Sequence, residues 1–264
     1  MSKVKNIEIY NSTEPTVVTI GTFDGVHIGH QKIIKHLINT GKSKGLKSVI
    51  LTFFPHPRMV LQKDSNIKLI NTIDERRNIL DDLGLDYLVV KKFTHEFSRL
   101  SAENFVKGIL VEELNAKKVI IGYDHRFGRN REATVEDLKS YGQQYDFKVN
   151  IISAQQIATI AVSSTKIREA IALGDFVKVH HFLGRPFQLR GTVTKGEGIG
   201  RKLAFPTANL NVNIPYKIIP PQGVYLVSIL LEKGVFYGMM NIGTRPTLSG
   251  KNESIEIHIF DFNE

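Results

Sequence analysis

Residues 17–30 read Val17-Val18-Thr19-Ile20-Gly21-Thr22-Phe23-Asp24-Gly25-Val26-His27-Ile28-Gly29-His30. Val17–Ile20 is a short β-branched run that stops at Gly21, the pattern of a buried strand. From Gly29 a different period takes over. Ile33, Ile34, Leu37 and Ile38 share one face of a helix, with lysines elsewhere. A strand, a glycine-rich turn and a helix, in that order, are the opening unit of an α/β domain with parallel strands.

The alternation continues downstream. Ser48–Phe54 reads as the next strand, stopped by Pro55 and Pro57. Asp74–Leu83 reads as a helix, Tyr87–Val90 as a strand and Ala102–Leu114 as a helix. Val119–Ile121, Val135–Tyr145 and Phe147–Ile152 repeat the sequence strand, helix, strand. Such alternation predicts a doubly wound parallel sheet with crossover helices. After Leu183 the texture changes. Gly184-Arg185-Pro186 breaks a helix expected over Asp175–Phe182, and short strands separated by glycine and proline follow. Leu189–Thr194, Val224–Leu231, Val235–Met240 and Ile255–Phe260 read as strands, with no clear helix between Gly184 and the end. The expected organisation is an α/β domain over 1–183 and a small all-β, barrel-like domain over 184–264.

Bulk properties narrow the class. A chain of 264 residues, 42% hydrophobic and 23% charged, can build two ordinary domains and is not compositionally disordered. The absence of cysteine excludes disulfides, thiolate catalysis and cysteine zinc sites. No apolar run approaches the roughly 20 residues of a membrane span, and Met1–Tyr10 is too polar for a signal peptide. A cytoplasmic enzyme without a membrane partner is expected. The net charge of +9 suits an anionic ligand. Its lysines (Lys42, Lys44, Lys47, Lys63, Lys91, Lys92, Lys117, Lys118) are scattered, the pattern of a solvated surface rather than of a nucleic-acid interface.

The turn Gly21–His30 has chemistry of its own. Helix N-termini carry unpaired N–H groups and partial positive charge, which favour phosphate. Gly25 and Gly29 leave room for a nucleotide against the backbone. His27 and His30, three apart, project from one side of the helix start and can donate hydrogen bonds to charge that develops on transfer. The chain contains neither the glycine-rich G-x-x-x-x-G-K-Ser/Thr phosphate loop nor the G-x-G-x-x-G fingerprint, and H-x-x-H alone is a poor zinc signal.

The segment resembles the HxGH signature of the nucleotidyltransferase superfamily. As a whole, GTFDGVHIGHQ resembles the version found in prokaryotic bifunctional riboflavin kinase/FAD synthetases. Three further segments agree in order: Thr52-Phe53-Phe54-Pro55-His56-Pro57, Gly122-Tyr123-Asp124-His125-Arg126-Phe127-Gly128, and Ser163-Ser164-Thr165-Lys166-Ile167-Arg168. The chain has Thr22 where that family usually carries Asn, and His125 where it carries Phe. The resemblance implies adenylyl transfer from ATP to FMN with Mg²⁺, giving FAD and pyrophosphate. His27, His30 and Arg168 would be catalytic. Gly21, Phe23, Asp24, Gly25, Gly29, Asp124, Arg126, Ser163, Ser164 and Thr165 would hold the nucleotide, and Phe54, Pro55, His56 and Pro57 the flavin.

In the second half, Thr194–Arg201 is a glycine-rich loop whose N–H groups can face phosphate. By itself Phe205-Pro206-Thr207-Ala208-Asn209 reads as a turn between strands. Together the two resemble the riboflavin kinase signature. That resemblance makes Gly196, Gly198, Gly200 and Arg201 nucleotide ligands, Thr207 and Asn209 the Mg²⁺ ligands, and Glu256 the general base for the riboflavin hydroxyl. Ala204 replaces a usual glycine. The family continues past the aspartate matched by Asp261, so a chain stopping at Glu264 predicts an incomplete barrel. Two states of this half stay open here, an active kinase and an inactive remnant that binds flavin. A non-catalytic flavin- or RNA-binding regulator is the alternative of another class.

Overall fold

The computed structural model describes residues 5–7, 13–62, 66–153, 162–194, 205–247 and 250–262. The first half is built on six parallel strands: β1 (Lys5–Ile7), β2 (Thr16–Ile20), β3 (Lys47–Phe54), β4 (Tyr87–Lys92), β5 (Ala116–Gly122) and β6 (Lys148–Ile152). They lie in the order β1-β4-β3-β2-β5-β6. From β2 the chain steps outward through β3 and β4, then returns to the other side of β2 to lay down β5 and β6. The reversal falls between β2 and β5, where open α/β sheets bind ligands beyond the carboxyl ends of their strands.

All five residues of β2 are buried, because the sheet is covered on both faces. Side chains alternate between the faces. Val18, Ile20, Val49, Leu51, Val119 and Ile121 pack under Phe105, Val106 and Leu110 on one side. Val17, Ile50, Leu88 and Ile120 pack under Ile34, Leu37, Ile38, Ile79 and Leu80 on the other. The helices are α1 (Ile28–Lys44), α2 (Pro57–Leu61), α3 (Ile73–Asp82), α4 (Ala102–Asn104), α5 (Val135–Gln144), α6 (Ser164–Ala172) and α7 (Phe176–Leu183). Residues of α1 and α3 cover one face and those of Phe105–Glu113 and α5 the other, while α6 and α7 pack with Ile70 in a cluster of their own.

Most sequence expectations hold to within a few residues, and the departures have physical causes. The helix expected over Ala102–Leu114 is α-helical for three residues and then a π-helix over Phe105–Glu113. Hydrophobic periodicity does not separate these two windings. The three-residue edge strand β1 and the one-turn α2 are too short to have a period of their own.

In the second half, β7 (Thr192–Thr194), β8 (Ala208–Asn211), β9 (Gly223–Leu231), β10 (Gly234–Thr247) and β11 (Gly250–Ile259) form an antiparallel sheet. Its order is β7-β8-β11-β10-β9. The strand expected over Leu189–Thr194 shortens to Thr192–Thr194. Ala208 and Asn209, read locally as part of a turn, pair with Ile257 and Glu256 of β11. No helix lies beyond α7 among the described residues.

Candidate active site

Three of the four motif segments of the first half leave neighbouring parallel strands at the same edge. Thr52–Pro57 leaves β3, Gly21–His30 leaves β2 and Gly122–Gly128 leaves β5. Sheet order, which is not legible locally, brings them side by side.

The central turn is bent into unusual backbone. Phe23 has φ 46° and Val26 φ 39°, left-handed values that a β-branched residue adopts only when its surroundings hold it there. Gly25 has φ 85°, and a Cβ on it would lie 2.9 Å from Ile70 Cδ1. The main holding group is the buried Asp24 carboxylate. It accepts from the Ile70 N–H at 3.0 Å, the Asn71 N–H at 3.1 Å and Arg168 Nη2 at 2.6 Å. Arg76, itself buried, stands 3.6 Å from it and donates to the Thr22 carbonyl at 2.6 Å. Arg185 donates to the carbonyls of Gly25 (2.6 Å) and Val26 (3.1 Å), and Ser164 Oγ donates to the Asp24 carbonyl at 2.8 Å. Every carbonyl from Asp24 to Val26 therefore has a side-chain donor.

That scaffold presents the histidines. His27 is the N-cap of α1, and its Nδ1 accepts from the His30 N–H at 3.2 Å. An accepting Nδ1 puts the proton of the neutral ring on Nε2, the atom left to donate. The rings of His27 and His30 stack with centroids 3.6 Å apart, and Phe23 meets His30 edge-on at 5.0 Å. A Cβ on Gly29 would come within 3.2 Å of the His27 ring, so glycine admits the stack. Burial lowers the His27 pKa to about 4 against the opposing pull of Asp24. Burial, then the His27 and Arg76 charges, push His30 well below its usual value. Both rings are neutral at pH 7, and His30 Nδ1 is buried without a partner among the described residues.

His56 caps α2 by accepting the Arg58 N–H at 3.2 Å. Burial lowers it to about 4, and it feels the charges of Asp24, Arg168 and Arg76, so it belongs to the same site. Phe54 and Pro55 precede it across a cis peptide. Asp124 and Arg126 are exposed on the turn after β5, and His125 between them is lowered to about 4 by burial and then by Arg131. Ser163 caps α6 by accepting the Lys166 N–H, while Thr165 is exposed in its first turn.

In the second half Thr207 Oγ1 donates to Glu256 Oε2 at 3.4 Å. Asn209 and Asn241 are the register neighbours of Glu256 on either side. The structure thus gathers three of the residues matched to the kinase signature. These are hard oxygen donors, and they fit Mg²⁺. Gly196, Gly198, Gly200, Arg201 and Ala204 lie outside the described residues.

Sequence reading missed Arg76, Arg185 and Lys217. Thr72 and Glu75 form a capping box at the start of α3, a signal the sequence carries in Thr72-Ile73-Asp74-Glu75. Nothing local says that the buried Lys217, 142 residues away, would donate to Glu75 Oε2 at 2.6 Å.

Comparisons with known proteins agree with this layout. A family model described as FAD synthetase matches residues 9–166, and one described as riboflavin kinase matches residues 183–264. A bifunctional riboflavin kinase/FMN adenylyltransferase of Buchnera aphidicola subsp. Schizaphis graminum is 39% identical over 98% of this chain and 83% of its own. The proteins of that name from Listeria monocytogenes and Escherichia coli K12 are 38% and 34% identical over 94% of this chain, and 78% and 79% of theirs. A crystal structure titled as a macrolide-efflux protein from Streptococcus pneumoniae superposes with a TM-score of 0.86 at 30% identity. It covers 99% of this chain and 86% of that one. Among the described residues no helix is long and apolar enough to cross a membrane. With two family models matched in tandem and relatives aligned over nearly its whole length, the chain belongs to the bifunctional riboflavin kinase/FMN adenylyltransferase family.

Proposed function

We propose that the first half, 1–183, transfers the adenylyl group of ATP to the phosphate of FMN, and that the second, 184–264, is the barrel-like half that phosphorylates riboflavin to FMN. The observation that carries the reading is the meeting of the β2, β3 and β5 motif segments at one sheet edge, beside the N-termini of α1 and α6. An FMN phosphate oxygen attacks the α-phosphorus of ATP in line; a P–O bond forms to FMN, and the bond to the β-phosphate breaks. Negative charge moves onto the departing pyrophosphate.

His27 Nε2–H and the first N–H groups of α1 face the developing charge. Both imidazoles are neutral, so they act as hydrogen-bond donors and not as cations. Arg168 and Asp24 hold each other, which makes the Asp24 carboxylate an organiser of the turn rather than a nucleotide ligand. Asp124 and Arg126, at the mouth, are placed to meet the nucleotide. The Phe54–Pro57 segment forms the flavin side. In the second half Glu256 would take the proton of the riboflavin 5′-hydroxyl. Thr207 and Asn209 would hold Mg²⁺, which screens phosphate charge.

Intact protein given riboflavin, ATP and Mg²⁺, with products separated by chromatography, is expected to form FMN and then FAD. His27→Ala should lower FAD formation from supplied FMN about 10²–10³-fold, the loss for removing one positioned donor. Absence of FAD from a folded wild-type protein given FMN would refute the adenylyl-transfer reading. Unchanged riboflavin alongside conversion of FMN to FAD would mark the second half as a binding remnant.

A further inference from the structure

A buried ion pair joins the two halves, and Ile70 and Arg76 connect it to the turn that carries the histidines. Lys217, between β8 and β9 of the second half, has a side chain with 0% exposure. Its Nζ donates to the Ile70 carbonyl at 2.7 Å and to Glu75 Oε2 at 2.6 Å, and lies 4.6 Å from the centre of the Phe187 ring. The backbone around it is stitched to the same place. The Leu69 N–H donates to the Tyr216 carbonyl at 2.6 Å, and the Ile218 N–H to the Leu69 carbonyl at 2.9 Å. The Tyr216 ring meets Phe54 at 4.9 Å.

Ile70 is the relay. Its carbonyl is held by Lys217, while its N–H is held by Asp24. Its side chain fills the space a Cβ on Gly25 would need. Glu75, the other acceptor, also takes the Thr72 N–H at 2.9 Å and so fixes the start of α3. The next residue, Arg76, holds the Thr22 carbonyl. Both routes from Lys217 converge on residues 22–25, within the stretch where Phe23, Gly25 and Val26 have positive φ. A strained turn keeps its shape only while its surroundings over-determine it.

We propose that Lys217 is a positioning residue for adenylyl transfer, so that the second half completes the catalytic turn of the first. The proposal rests on the reading of Gly21–His30 as the adenylyl-transfer centre. Lys217 touches no substrate; it acts by fixing Ile70 and Glu75, and through them the placement of His27 and His30.

The test compares full-length wild type, Lys217→Met and the double variant Lys217→Met/Glu75→Gln. The single variant strands a buried carboxylate and is open to unfolding. The double variant removes both charges and leaves an amide oxygen at position 75 able to accept the Thr72 N–H, and such paired replacement is often neutral for stability. Thermal midpoints report folding, kcat and KM for FMN and ATP report catalysis, and ¹⁵N-histidine NMR titration reports the His27 ring. In the folded double variant kcat for FAD formation should fall about 10–100-fold, the range for removing groups that orient catalytic ligands. KM for ATP should change less than kcat, and the His27 titration should move from its low value toward 6.5. A folded double variant with wild-type kcat overturns the proposal, and so does a fall in kcat with the His27 titration unmoved. Wild-type protein that makes no FAD fails the functional reading instead, while the NMR comparison still decides whether Lys217 holds the turn.

Discussion

The parallel sheet of the first half and the antiparallel sheet of the second meet water differently. Every residue of β2 is buried, whereas β9 alternates half-buried and exposed residues along its length. The exposed row of the second sheet is largely apolar, with Ser228 an exception: Val224, Leu226 and Leu230 on β9, with Val235, Tyr237 and Met239 on β10. Its own buried hydrophobic core among the described residues is Met240, Ile242 and Ile255, partnered by half-buried neighbours. The first half packs two clusters on either face of its sheet and adds buried charge where the strands end. A strand shielded on both sides delivers its next residues into a dry environment, where charged hydrogen bonds are strong and can hold strained backbone. The second sheet sets Glu256 and Thr207 at half-buried positions, where the neighbouring strands supply the order.

The contrast can be broken at its buried end. Asp24→Ala removes the shared partner of Arg76, Arg168 and two backbone N–H groups, and should cost about 3–5 kcal/mol. Urea midpoints would register it, and FAD formation would fall with them. A cost below about 1 kcal/mol would mean that the turn holds itself. Leu88→Ala, in the first core, should cost about 2–5 kcal/mol in the same experiment. The histidines sharpen the comparison next. His27, His56 and His125 have folded pKa values of about 4, below the unfolded 6.5. The unfolded chain therefore binds more protons between those values. Their burial leaves stability intact above pH 6.5, erodes it as pH falls toward 4, and changes little further below. His125→Phe should flatten this acid slope by about 1–2 kcal/mol between about pH 6.5 and 4.5, measured as the difference in denaturation free energy from wild type. The smallest effect belongs to the second sheet. Leu230→Ser, 81% exposed on β9, should stay within about 0.5 kcal/mol of wild type, far from the cost at Leu88.

Much of the first half was legible because its strands are buried on both faces. Val17–Ile20 and Ser48–Phe54 announce themselves by composition, and Gly21 and Pro55 mark where they stop. The Thr72–Glu75 capping box could be read from spacing alone. The π-helix over Phe105–Glu113 could not, since its apolar residues satisfy an α-helical face equally well. Nor could β8, where Phe205-Pro206-Thr207 reads as a turn and pairing with β11 decides the strand. His27 and His30 were visible as paired imidazoles at a helix start, but their neutral state comes from burial that no local pattern expresses.

The sequence by itself determined the α/β unit, the change of texture after Leu183 and the four segments that identify the nucleotidyltransferase half. These follow from periodicity and from residue types adjacent in the chain. Tertiary structure alone decided that β3, β2 and β5 are neighbours and that the Asp24 carboxylate faces inward to Ile70, Asn71, Arg76 and Arg168. It also decided that Lys217 closes the network from the other half. Those contacts join residues far apart in the chain, and a buried charge is tolerable only where folding has brought its partners to it.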